Sequence, residues 1–172
     1  MFGGQGTHYY SMGKEFFYSD KVFQKWFTYG DQICQDLIGR SISETLFSKS
    51  IHQSNELVDV LITHPAIYIF GFSLYKALES QGFSPSSILG TSLGEFTGMA
   101  VSEVFSFESG LEIVLEQAKL INSFCEAGGM IVVLDYPQNY YSLLKELSLE
   151  IAAIILTRAL LFLDLKITQK HF

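Results

Sequence analysis

The pentapeptide Gly-Thr-Ser-Leu-Gly at residues 90–94 is the feature that most restricts how this chain can fold. It follows an apolar pair at residues 88–89 and precedes a segment that can be helical, residues 95–100. A serine on a sharp strand-to-helix turn is pushed out of the backbone, and flanking glycines remove the Cβ atoms that would clash there. The turn also places the serine at a helix N-terminus, whose free N–H groups favour a developing oxyanion. The pattern therefore predicts that Ser92 is an exposed nucleophile for acyl chemistry.

The composition is that of a globular protein and excludes several other classes. Hydrophobic residues make up 48% of the chain, charged residues 17%, and the net charge is −7 without a cluster of Lys and Arg, which argues against nucleic acid as a partner. Cys34 and Cys125 have neither a metal-binding nor a disulfide pattern. The apolar run 151–165 is interrupted by Arg158 and Asp164 and is shorter than the roughly 20 residues of a membrane span. We expect no metal, no cofactor, no membrane insertion and a cytoplasmic location.

The apolar periodicity predicts helices in the first two thirds of the chain and a strand-helix-strand rhythm after Gly128. A helix that begins at Pro65 is apolar on nearly every side, so we place it in the core. Ser106 is the expected N-cap of a later helix. The predicted helices are residues 15–26, 31–38, 43–47, 65–81, 107–124 and 139–147, and the predicted strands are residues 130–134 and 150–156.

Three sequence blocks accompany the pentapeptide. They are FGGQGTHYYSMG at residues 2–13, THPAIYIFGFSLYKAL at residues 63–78 and GTSLGEFTGMAVSEVFSFESGLEIVLEQAKLI at residues 90–121. A lone G-x-S-x-G is a weak signal, because a tight glycine turn can contain a serine by chance. Together, and in this order, the blocks resemble the malonyl-CoA:acyl carrier protein transacylase family, the acyltransferases of fatty acid and polyketide synthesis, over about residues 1–154.

The resemblance implies an α/β fold, with an α/β-hydrolase-like acyltransferase core and the start of a ferredoxin-like small subdomain. The core is expected at residues 1–127, the small subdomain at 128–156 and a divergent tail at 157–172. In this family, the serine at the position of Ser92 takes an acyl group from CoA as an ester and passes it to the thiol of an acyl carrier protein. The backbone N–H groups of Gln5 and Leu93 are then expected to form the oxyanion hole.

Two departures from the family pattern concern the acyl group. Thr91 stands where the family has a histidine that lines the acyl pocket. Gln117 stands where malonyl-selective members have an arginine, whose guanidinium binds the malonyl carboxylate through two hydrogen bonds. Without that cation, a buried carboxylate costs on the order of 3 kcal/mol or more. We therefore expect an uncharged acyl group, and Gln117 also resembles the acyl hydrolases of polyketide pathways. S-malonyl transfer is the alternative.

The third departure concerns the general base. The family places it on a histidine about a hundred residues beyond the serine, past the small subdomain. Here His171 lies in a segment that no longer resembles the family, and His64, at the start of the core helix, is more typical of a pocket residue than of a base. We expect a frameshift or premature stop after Ile154. An inactive remnant, or a module that only binds a carrier protein, is therefore the alternative of another class.

Overall fold

Helices come first along the chain and strands last in this computed structural model, which describes residues 1–48, 56–125, 129–147, 149–156 and 159–164. The chain divides into two units, Met1–Ser123 and Phe124–Phe172. The helices of the first part are α1 (Lys14–Ser19), α2 (Lys21–Ile38), α3 (Ile42–Leu46), α4 (Val60–Ser80), α5 (Gly94–Val101) and α6 (Phe107–Phe124). The second part contains β1 (Gly129–Val133), α7 (Tyr141–Leu147), β2 (Glu150–Leu156) and β3 (Ala159–Asp164).

Helix α4 forms the centre of the first unit, as the sequence predicts, but it begins earlier than Pro65. The Asp59 carboxylate accepts a hydrogen bond from the Leu61 N–H at 3.0 Å, which caps the helix and starts it at Val60. Pro65 therefore lies inside the helix, where it lacks the N–H that would bond one turn back. The prediction that this helix begins at Pro65 was wrong. The Asp59 cap determines where the helix starts, although proline often occupies the first turn of a helix.

Helix α2 runs without a break through Gly30, where the sequence predicts a gap between two helices. Position 30 requires a glycine because α4 packs closely against it: a Cβ there would lie 2.7 Å from Ile69 Cγ1. The glycine therefore allows close packing of two helices and does not end one. The Asp20 carboxylate caps α2 by accepting from the N–H groups of Val22 and Phe23.

The start of α6 is held against α4 by an aromatic cluster. As predicted, Ser106 caps α6: its hydroxyl accepts from the Ser109 N–H at 3.1 Å. The Tyr68 hydroxyl, on α4, donates to the Phe107 carbonyl at 3.0 Å, and the two rings stack with centroids 5.5 Å apart. Trp26 and Phe72 also contact the Phe107 ring. These contacts join α2, α4 and α6 into one core.

The second unit contains a three-stranded antiparallel sheet in the order β1-β3-β2. The elements follow one another as β-α-β-β, and β3 lies between two strands that are both antiparallel to it, which is how a ferredoxin-like fold begins. That residues 157–172 are a tail divergent from the family stays a prediction. Residues 159–164 form the central strand, with Gly129 opposite Asp164. Their apolar run pairs as a strand. None of the described helices is long and apolar enough to cross a lipid bilayer.

The α4–α6 contact provides a test of the core. In Gly110→Ala, the added Cβ lies 2.2 Å from the Tyr68 hydroxyl oxygen, its nearest neighbour, and 2.5 Å from Phe105 Cε2, so α6 or these rings have to move. We expect a loss of about 1–3 kcal/mol in the free energy of unfolding, measured by urea denaturation. Tyr68→Phe removes the colliding oxygen, so Gly110→Ala should cost less in that background. Equal costs in both backgrounds would contradict this packing.

The two cysteines provide a second test. Burial, with a smaller contribution from the Asp31 carboxylate, raises the pKa of the Cys34 thiol to about 12, so at pH 8 it is protonated and unreactive. Cys125 is exposed. Iodoacetamide at pH 8 should therefore modify the folded protein once, at Cys125, and twice after unfolding, as read by intact mass. Fast modification of Cys34 in the folded state would contradict the α2 packing.

Candidate active site

Ser92 lies on a sharp turn in a strained backbone conformation. Its φ is +54°, in the left-handed region that side chains other than glycine rarely adopt, and the residue is exposed. The turn is closed by hydrogen bonds from the Gly94 N–H to the Thr91 carbonyl (3.0 Å) and from the Glu95 N–H to the Ser92 carbonyl (2.9 Å). Helix α5 starts two residues after the serine. This is the geometry of a nucleophile elbow.

The two glycines of the pentapeptide are required by close backbone contacts, as the sequence predicts. A Cβ on Gly90 would lie 2.3 Å from Glu95 Cα, and a Cβ on Gly94 would lie 2.3 Å from the Phe2 carbonyl oxygen. Both contacts are with backbone atoms, which cannot rotate away. Any larger residue at either position therefore deforms the turn that carries Ser92.

The N-terminal segment pairs with the chain just before the elbow. The Phe2 N–H donates to the Leu89 carbonyl at 2.8 Å, and the Thr91 N–H donates to the Phe2 carbonyl at 3.0 Å. The result is a single parallel bridge between Phe2 and Gly90. The strand expected before the elbow is reduced to this bridge in the described structure. The bridge fixes the N-terminal segment directly beside Ser92.

The glycine loop that follows the bridge lies against the elbow. A Cβ on Gly4 would lie 2.9 Å from Ser92 Cβ and 3.1 Å from the Leu93 nitrogen. Gln5, the next residue, is exposed, and Leu93 immediately precedes α5. The structure thus brings together the elbow and the glycine loop. The oxyanion hole that the family resemblance implies, formed by the N–H groups of Gln5 and Leu93, stays a prediction.

His64 is buried on α4, with 7% of its surface exposed. Burial lowers the pKa of its imidazole, and the nearby His8 lowers it further, so the ring is neutral at pH 7. Its Nδ1 has no hydrogen-bond partner among the described residues. No hydrogen bond joins His64 to Ser92 within the described part of the chain, so the geometry does not identify His64 as the general base.

The other two predicted pocket residues differ in exposure. Thr91 is exposed next to Ser92 in the chain, and Gln117 is half-buried on α6. In the ranges that the structure describes, neither side chain is hydrogen-bonded to Ser92. Contact with a bound acyl group therefore stays a prediction for both residues.

Sequence reasoning missed two features around the elbow. One is Thr7, which holds the glycine loop: its hydroxyl donates to the Gly4 carbonyl at 2.7 Å. The sequence pattern that could have predicted this hydrogen bond is a threonine three residues after a glycine in a glycine-rich loop. The other is a mostly apolar cavity of about 520 Å³ beneath the bridge, lined in part by Phe2, Phe70, Ile88 and Thr97. Ser92 is not among its lining residues.

Comparisons with known proteins agree with this geometry. The acyl transferase domain family model matches residues 1–146. The polyketide biosynthesis acyltransferase homolog PksD of Bacillus subtilis is 44% identical over 138 residues, which cover 80% of this chain and 43% of that protein. The homolog BaeD of Bacillus velezensis is 36% identical over 140 residues, 81% of this chain and 43% of that protein.

A solved structure shows the same fold. A loading acyltransferase from the avermectin modular polyketide synthase superposes with a TM-score of 0.84 at 22% identity, over 95% of this chain and 52% of that one. The chain spans less than half the length of the two curated relatives.

The contact between the glycine loop and the elbow predicts the effect of Gly4→Ala. The added methyl lies 2.8 Å from the Thr91 carbonyl oxygen and 2.9 Å from Ser92 Cβ, so the loop is pushed off the elbow. We expect labelling of Ser92 by a fluorophosphonate probe to slow by roughly tenfold or more, since displacement of a reactive group by about 1 Å costs up to 100-fold. Gly82→Ala is the control, because it introduces strain (φ +89°) into open space. Equal labelling of Gly4→Ala and the wild type would contradict the contact.

Proposed function

The chain belongs to the acyl transferase domain family, and we propose that it transfers acyl groups from thioesters through an ester on Ser92. The left-handed conformation of Ser92, at the start of α5 and against Gly4, is the observation that carries the proposal. Strain of this kind persists where the surroundings fix it, and it is concentrated at functional sites. An exposed hydroxyl near the backbone N–H groups of Gln5 and Leu93 is suited to acyl transfer.

The reaction has two steps. The Ser92 oxygen attacks the thioester carbonyl, the C–S bond breaks, and the thiol of CoA or of a carrier protein leaves with the proton that the serine hydroxyl lost. A second thiol, or water, then attacks the ester and regenerates the hydroxyl. A thiol acceptor makes the protein a transferase, and water makes it an acyl hydrolase.

The backbone N–H groups of Gln5 and Leu93 are assigned to the oxyanion that forms in both steps. The position of Gly4 against Ser92 and Leu93 supports this assignment. A preorganised donor of this kind is typically worth 100- to 1000-fold in rate, or about 3–4 kcal/mol.

Thr91, Gln117 and His64 are assigned to the acyl pocket. His64 is neutral, and Gln117 has no charge, so these two groups offer a carboxylate no cation. We therefore favour an uncharged acyl group such as acetyl over malonyl. Within this assignment, residues 1–127 are the acyltransferase core and residues 128–156 the start of the small subdomain. An acyl carrier protein is the assigned partner, and the cytoplasm is the assigned location.

A carrier-protein-binding module without catalysis is the second candidate. The observation in its favour is that no side chain within the described residues accepts a hydrogen bond from the Ser92 hydroxyl. Without a base, most of the catalytic power of a serine nucleophile is lost, because the members of a triad act as a unit.

Intact mass spectrometry distinguishes these candidates. The purified chain is incubated with acetyl and malonyl thioesters of CoA and of acyl carrier protein, with Ser92→Ala as the control. We expect an acetyl adduct, or thioester turnover, that Ser92→Ala abolishes. Gln117→Arg should raise malonyl loading relative to acetyl loading, because a guanidinium compensates the carboxylate. Preferential malonyl loading by the wild type would contradict the role of Gln117, and no adduct with any donor would favour the binding module.

A further inference from the structure

The glycine loop beside Ser92 is held at two points by neighbouring side chains, Thr7 and His8. The Thr7 hydroxyl donates to the Gly4 carbonyl at 2.7 Å, and the Thr7 N–H donates to the same oxygen at 3.3 Å. The Gly6 N–H donates to His8 Nδ1 at 3.4 Å, and His8 Nε2 lies 2.8 Å from the Leu57 carbonyl oxygen.

The contacts of His8 require one neutral tautomer. A carbonyl oxygen can only accept, so Nε2 carries the hydrogen and donates to Leu57. Nδ1 then keeps its lone pair, which is what the Gly6 N–H needs. Both ring nitrogens are therefore used, and the ring ties the loop to Leu57, whose side chain is buried in the core.

The two groups that Thr7 and His8 bind, the Gly4 carbonyl and the Gly6 N–H, belong to the two peptide planes on either side of the Gln5 Cα. A peptide unit is planar, so the Gly4 carbonyl lies in the same plane as the Gln5 N–H and, in the trans form, points away from it. When Thr7 holds that carbonyl, it also sets the direction of the Gln5 N–H. The Gly6 N–H lies in the plane that begins at the Gln5 Cα, and His8 holds that plane.

We propose that Thr7 and His8 are positioning residues that fix both peptide planes around Gln5 and thereby aim its N–H at the oxyanion site of Ser92. This inference rests on the proposed acyl transfer by Ser92. Gly6 has a φ of +96°, a left-handed conformation that turns the chain directly after the second held plane, toward Thr7 and His8.

The clamp formed by Thr7 and His8 is separate from the contacts that hold the elbow. The bridge of Phe2 to Leu89 and Thr91 involves backbone atoms alone and contains neither side chain. Loss of the clamp should therefore misdirect the Gln5 N–H while Ser92 and the core stay in place. A role in stability alone predicts the opposite, a lower melting temperature with unchanged reactivity.

Conservative and non-conservative variants test the clamp. Thr7→Val removes the hydroxyl at nearly constant shape, and Thr7→Ser restores it. His8→Leu removes both ring contacts, and His8→Gln supplies a donor and an acceptor on one side chain. Thr45→Val, on α3, is the matched control, because the Thr45 hydroxyl donates to the Ser41 carbonyl at 2.9 Å in the same way.

The readout is the rate of Ser92 phosphonylation by a fluorophosphonate, in which the Ser92 oxygen bonds to phosphorus, fluoride leaves and the hydroxyl proton passes to solvent. We expect Thr7→Val and His8→Leu to be slower by roughly tenfold or more, with the wild-type melting temperature, since misplacement of about 1 Å costs up to 100-fold. Thr7→Ser and His8→Gln should recover most of the rate, and Thr45→Val should retain it. Unchanged rates in Thr7→Val and His8→Leu would overturn the inference.

Nuclear magnetic resonance separates this inference from the proposed function. If the fluorophosphonate does not label the wild type, acyl transfer by Ser92 fails as a proposal. The clamp is then tested by NMR on the unlabelled protein. The clamp predicts a single neutral His8 tautomer with hydrogen on Nε2, and a Gly6 amide whose hydrogen exchange accelerates in His8→Leu. A mixture of tautomers, or a Gly6 amide that exchanges equally fast in both proteins, would overturn it.

Discussion

The site depends on one pair of backbone hydrogen bonds, through which Phe2 joins the segment that leads into the elbow. Phe2 donates to Leu89 and accepts from Thr91, so the residues on either side of it are placed beside Ser92. Because Gly94 lies against the Phe2 carbonyl as well, the first turn of α5 packs on the same segment. Ser92, the N-terminus of α5 and the glycine loop are therefore all positioned by one short stretch of chain.

Packing of the helical core supports the N-terminal segment around Phe2 and the elbow that it contacts. Helix α4 packs against α2, α3 and α5, and aromatic contacts join it to the start of α6. Gly30 on α2 and Gly110 on α6 each allow their helix to pack closely against α4. The Tyr68 hydroxyl also links α4 to the first residue of α6. A rigid support of this kind allows an irregular loop to hold a strained residue such as Ser92.

Local signals in the sequence predicted much of this arrangement, and long-range contacts determined the rest. The glycines around Ser92 and the cap at Ser106 are short-range features, and the structure confirms them. The continuation of α2 through Gly30 depends on Ile69, which is far away in sequence. The pairing of residues 159–164 with β1 likewise depends on residues that lie 27 to 35 positions earlier in the chain. The pocket roles of His64 and Gln117 depend on a bound acyl group, which periodicity and motifs cannot locate.

The central claim is that Ser92 acts as a nucleophile beside the N–H groups of Gln5 and Leu93. A crystal structure of the chain after reaction with a fluorophosphonate tests it most directly, because the phosphoryl oxygen imitates the oxyanion. Phosphorus on the Ser92 oxygen, with the phosphoryl oxygen about 3 Å from both backbone nitrogens, is the predicted result. An adduct whose phosphoryl oxygen points away from the glycine loop, or an adduct on another residue, would contradict the account.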